Sequence, residues 1–145
     1  LSHFLIKELE AAGHEVFDHG PKEYDPLDDY PSFCIHAALA VRSDEQAGNE
    51  ALGIVLGGSG NGEQIAANKV HGIRAALVWN LDTAKLARQH NDANVICLGE
   101  RLIGPEVASE ALRAWLDAEF EGGRHARRVD KLSGLDGSLD RYAAD

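Results

Sequence analysis

The sequence predicts a doubly wound α/β domain, a parallel sheet with helices on both faces, and three observations support it. Residues 52–56, 73–79 and 94–98 are short apolar runs without polar alternation, the pattern of strands buried on both faces. Segments of helical character lie between them, joined by short connections. The first run is followed by four glycines in six residues, at 57, 58, 60 and 62, and then by a segment suited to a helix.

Taken in order, residues 1–12 place Leu1, Phe4, Leu5, Leu9 and Ala12 at helical spacing, with Gly13 as the stop and no side-chain N-cap. Residues 15–18 read as a short strand ending at Gly20-Pro21, and 22–29 as an acidic loop. Pro31 suits a helix start, and Ile35, Ala38, Leu39 and Arg42 extend that helix to about Ser43. A polar connection over 44–50 leads into the central strand. His71-Gly72 stops the helix that follows the glycines, and 73–79 is the next buried strand. Asn80 or Asp82 can cap a helix running through Leu86 to about His90, and Gly99 ends the strand at 94–98. Pro105 opens a long helix with Val107, Ala111, Leu112, Trp115 and Leu116 on one face, closed by Gly122-Gly123. A single domain is expected over residues 1–132, with 133–145 as a weakly ordered tail.

At 145 residues the chain is long enough for a real core. Its 14 Lys and Arg against 24 Asp and Glu give a net charge of −10, which argues against nucleic-acid or anionic-membrane partners. No apolar stretch approaches the ~20 residues of a membrane span. Cys34 and Cys97 stand apart, without CxxC spacing, and read as buried small side chains in a cytoplasmic protein. The seven histidines show no HExxH or other paired ligand spacing, so no metal site is expected.

The chemistry concentrates at residues 53–69, GIVLGGSGNGEQIAANK. A strand, a glycine loop and a helix N-terminus aim free N–H groups at one spot, which suits an anion or a developing oxyanion. A Walker loop would need Lys and then Ser or Thr after its last glycine, but Gly62 is followed by Glu63 and Gln64. A dinucleotide fingerprint starting at Gly58 meets Glu63 where Gly or Ala should pack the helix, and a carboxylate there repels a pyrophosphate. Glu63 is therefore either a reagent or an acidic residue complementing the helix dipole, and the pattern alone leaves both open. The His90-Asn91 pair has a plain reading as a helix C-terminus. Arg124, Arg127 and Arg128 are either a solvated helix face or, in so acidic a chain, a surface for an anion or an acidic partner.

The stretch GIVLGGSGNGEQIAANK, followed by RAALVWN and RQHNDANVICLGER, resembles the ribose-5-phosphate isomerase B family, which also takes in galactose-6-phosphate isomerase subunits. The resemblance covers roughly residues 1–130. It implies a Rossmann-like fold and a homodimer or homotetramer with active sites shared between subunits. It also implies interconversion of aldose and ketose phosphates without metal or organic cofactor. Many members carry Cys where Ser59 stands, and this chain matches the subgroup with Ser and a glutamate base. Carried over, Glu63 is the general base, and Gly58, Ser59, Gly60, Asn61 and Gly62 form the anion-stabilising loop. His90 assists ring opening, Asn91 holds sugar hydroxyls and Arg101 binds substrate. Arg124 and Arg128 reach the phosphate in the neighbouring subunit's site.

The residue types suit that reaction. One carboxylate can move a proton between C1 and C2 through a cis-enediolate, a contribution of ~10²–10⁴-fold. Fixed loop amides can hold the enediolate oxygen, and the phosphate positions the carbons. One departure from the family is the absence of its first strand and an Asp-His loop before residue 1. Either the natural protein has a further N-terminal segment, which the intact later motifs favour, or the polypeptide is truncated and inactive. The alternatives to a pentose-phosphate isomerase are a hexose-phosphate isomerase, a nucleotide-binding module using Asp82, and a non-catalytic subunit.

Overall fold

The computed structural model describes residues 1–136. Its elements run Ser2–Ala11 (α1), Tyr30–Gln46 (α2), Gly53–Gly57 (β1), Asn61–Asn68 (α3), Ala75–Leu77 (β2), Leu81–Asn91 (α4), Val95–Gly99 (β3), Pro105–Asp117 (α5) and Arg124–Leu135 (α6). The strands form a parallel sheet in the order β1-β3-β2, with Gly53 and Ala75 both level with Val95. The central strand, β3, is buried at all five residues.

Alternation along the strands divides the core into two. Val55, Ala75, Val95 and Cys97 face α2 and α3, where they meet Cys34, Ala38, Val41, Ala66 and Ala67. Ile96 and Leu98 point the other way, to Leu5, Ala84, Ala87, Ala108, Ala111, Leu112 and Trp115 of α1, α4 and α5, with Ile54 and Leu56 packed alongside. The alanines let the helices lie close to the sheet. The larger side chains contribute about 1.5–3 kcal/mol each on burial. Trp115 satisfies its one donor by giving Nε1–H to the Ala93 carbonyl at 3.0 Å. The result is the expected three-layer, doubly wound α/β fold.

Parallel strands impose an up-and-down course, so helices begin at the carboxyl edge of the sheet and end at the amino edge. Helix α4 begins in a capping box, in which Asn80 Oδ1 accepts from Thr83 N–H at 2.8 Å and Thr83 Oγ1 accepts from Asn80 N–H at 3.2 Å. It ends at Asp92, in the left-handed region at φ 45°. Asn94, 2 % exposed, ties up the amino edge. Its Oδ1 accepts from Arg74 N–H at 2.8 Å, and its Nδ2 donates to Gly72 O at 3.0 Å and to Glu45. Helix α6 lies along that same edge. The Glu121 N–H just before it donates to Gln89 O at 3.0 Å, and Asp136 Oδ2 just after it accepts from Gly72 N–H at 2.7 Å.

Four expectations about elements need correction. Residues 15–18 form no strand, since among the described residues no neighbouring strand takes up their backbone groups, and Phe17 is 68 % exposed. Among the described residues strand β1 has a partner on one edge only. Strand β2 keeps only Ala75–Leu77 of the predicted 73–79. Helix α5 stops at Asp117, not at the Gly122-Gly123 pair, which instead turns the chain into α6. Residues 133–135 of the expected tail belong to α6, and 137–145 lie outside the described residues. Among the described residues no helix is long and apolar enough to cross a membrane.

Candidate active site

Strand β1 ends at Gly57, and the chain turns through residues 58–60 into α3. Gly60, the N-cap of α3, has φ 83°. A side chain there would also meet Leu77 Cδ1 at 2.8 Å and the Leu98 carbonyl carbon at 3.2 Å, so glycine is required twice over. No side chain caps α3. Its first-turn N–H groups have no acceptor within the helix, and Asn61 N–H turns back to Ser59 Oγ at 3.2 Å. Glu100 N–H donates to Gly57 O at 2.9 Å and Arg101 N–H to Gly58 O at 3.1 Å, which clamps the loop to the end of β3.

Glu63, on the first turn of α3, is 8 % exposed. Its carboxylate folds back to the loop and occupies the space that a side chain on Gly57 would need. It forms no ion pair with any described residue. Two more groups converge from other elements. The Arg101 guanidinium lies over Gly58, with Cζ 3.2 Å from the position of a β-carbon there, and the Tyr30 hydroxyl lies against Gly62. Cys34 and Cys97 are near enough to feel Glu63. Burial, then the Glu63 charge, pushes the Cys34 thiol up to about 11. Burial, then Cys34 and Glu63, pushes Cys97 up as well. Neither thiol is poised as a nucleophile.

His90 and Asn91 are elsewhere. They are the last two residues of α4, and the Asn91 carbonyl accepts from Arg74 Nε at 2.9 Å below β2. Helix α4 spans 11 residues, about 16 Å, from the carboxyl to the amino edge, so one chain does not bring His90 to Glu63. Around His90 a second group forms. The His125 ring stacks on it with centroids 4.2 Å apart, and Glu121 Oε2 lies 3.9 Å from His90 Nε2 and 3.6 Å from His125 Nε2. Arg124 and Arg128 are exposed on α6 nearby, and neither forms an ion pair among the described residues. Sequence spacing hid this cluster, because its members come from α4, the connection after α5, and α6.

The sequence-predicted residues thus fall into two sets at opposite edges of the sheet. Gly58, Ser59, Gly60, Asn61, Gly62, Glu63 and Arg101 share one, with Tyr30 added. His90, Asn91, Arg124 and Arg128 share the other, with Glu121 and His125 added. Tyr30 had one legible signal: helices of this fold start at the carboxyl edge, where the loop lies.

Fold and site define a doubly wound α/β domain whose glycine loop, with free amides, carries a buried carboxylate that forms no ion pair among the described residues, an arrangement chemically suited to proton transfer beside an oxyanion. Residues 1–132 match the family described as Ribose/Galactose Isomerase, and the chain belongs to that family. Ribose-5-phosphate isomerase B of Mycobacterium tuberculosis is 48 % identical over 130 residues, 89 % of this chain and 78 % of that protein. The solved structure of ribose-5-phosphate isomerase B from Clostridium thermocellum superposes with a TM-score of 0.85 at 43 % identity, over 96 % of this chain and 88 % of that one. The isomerase from Mycoplasma genitalium, solved with bound ribulose-5-phosphate, gives 0.85 at 41 % identity, over 92 % and 86 %.

Proposed function

We propose that this chain interconverts ribose 5-phosphate and ribulose 5-phosphate through a cis-enediolate, with Glu63 as the general base. One observation carries the proposal: the Glu63 carboxylate is buried against Gly57 at the mouth of the amide loop, and it forms no ion pair among the described residues. A base so placed takes the proton from the carbon next to the carbonyl and returns it one carbon away. The first-turn amides of α3 and the Ser59 hydroxyl face the oxygen on which charge develops. Arg101 steadies the substrate over Gly58, and His90 opens the sugar ring while Asn91 holds hydroxyls. Relatives named for the same reaction, one of them solved with the ketose phosphate, support this choice of substrate.

The protein acts as a homodimer, or as a tetramer of such dimers. Glu63 and His90 are separated by the height of the sheet within one chain, so the loop of one copy meets His90, Asn91, Arg124 and Arg128 of another. The unpaired arginines give the phosphate its counter-charge. The test is Glu63→Gln, assayed on ribose 5-phosphate with a six-carbon aldose phosphate in parallel. Turnover should fall by ~10²–10⁴-fold, while the variant folds and still binds the sugar phosphate. Full turnover in that variant would remove Glu63 from the mechanism, and preference for the hexose phosphate would change the substrate.

A further inference from the structure

His125 takes no part in the reaction as described, yet it is the most deliberately placed group at the amino edge. Its side chain is 7 % exposed, its Nε2 has no hydrogen-bond partner, and its ring lies nearly parallel to that of His90, at 11°. A buried ring nitrogen without a partner costs stability, so the arrangement calls for an explanation other than packing.

A metal site is the first candidate, because the ligand atoms of His90, Glu121 and His125 all lie within 4.8 Å of one another. Two histidines and a carboxylate are a zinc-type donor set. A metal, however, binds an imidazole nitrogen along the lone pair, in the plane of the ring. Two stacked rings 11° from parallel send their lone pairs side by side and do not aim them at one point. The stack is built as a support.

We propose that His125 is a positioning residue for His90: its ring, stacked beneath, and the Glu121 carboxylate across both Nε2 edges fix the imidazole that opens the sugar ring. This rests on the role given to His90 above. His90 sits at the end of a helix with its side chain 38 % exposed, and unsupported it would sample several rotamers. The stack removes that freedom. His125 is also the second residue of α6, between Arg124 and Arg128, so it fastens the ring-opening group to the helix bearing the phosphate arginines. Both ends of one sugar phosphate are then met by a preassembled block. The charged groups facing His125 are His90 on α4, Glu121 before α6, and Arg124 and Arg128 on α6. Burial first, then His90 and Arg124, hold His125 below the usual histidine range against the pull of Glu121.

Two assays on the full chain separate positioning from mere structure. Ribose 5-phosphate must open its ring before reaction. Ribulose 5-phosphate has its C5 oxygen esterified and is already open, so exchange of its C1 proton with deuterated solvent needs Glu63 and no ring opening. His125→Ala should lower kcat/KM for ribose 5-phosphate on the order of 10²-fold and lower the exchange rate far less. His125→Phe, which keeps a flat ring, should retain most of the turnover. Equal losses in both assays, no loss with Ala, or a Phe variant as poor as Ala would overturn the proposal. If the unmodified protein shows neither isomerisation nor exchange, the reading of Glu63 and His90 fails instead.

Discussion

Gly57 and Glu63 are fitted to each other so closely that a single methyl group tests the site. In Gly57→Ala the new β-carbon falls where the carboxylate now lies, and the flexible side chain, not the strand, gives way. The expected result is a folded protein, with far-UV circular dichroism unchanged, whose turnover drops by about 10²-fold as the base is displaced. Unaltered activity would mean that Glu63 works from another position. This part of the site was legible in the sequence because loop and base lie within seven residues, and the failure of the nucleotide motifs singled out the acid. Tyr30 was legible only as the start of a helix at the loop's edge of the sheet, and Glu121 and His125 were not legible at all, since each gains its place from a fold contact distant in sequence. A histidine's neighbour 35 positions away leaves no local pattern.

Helix α1 shows how an element can be held by one side chain. Leu5 is its one buried residue, and Glu8 ties it to α5, accepting from Ser109 Oγ at 2.5 Å and Arg113 Nη2 at 2.8 Å. The Ser109 hydrogen bond first, and Arg113 next, hold the Glu8 carboxyl below its ordinary 4.5. A depressed acid stabilises the fold fully above its unfolded value and loses that contribution as pH falls through the folded one. Glu8→Gln should therefore melt at a lower temperature than the parent at neutral pH, and the gap should close in scans taken progressively below pH 4.5. A gap independent of pH would assign the effect to packing. Sequence periodicity located α1, α3, α4 and β3 well because each carries its own stripe, cap or glycine stop. It misread residues 15–18, where a strand-like composition has no neighbouring strand to pair with, and it placed the end of α5 at glycines that serve the following turn instead.

At the scale of the molecule, the governing fact is that α4 carries His90 away from Glu63 to the far edge of the sheet. Mixing therefore offers a decisive measurement. Glu63→Gln and His90→Ala should each be inactive alone, but unfolded and refolded together they should regain roughly a quarter of wild-type activity, because random pairing places one intact site in half of the dimers. Absence of recovery would mean that each chain completes its own site by a rearrangement. In the dimer proposed above, catalysis would depend on company. As the protein is diluted and copies separate, each one would keep its fold, its loop and its carboxylate but lose the histidine and arginines that the proposal has it borrow. Specific activity should then fall as the concentration is lowered, and a copy carrying both substitutions, present in excess, would silence its normal counterparts by occupying them.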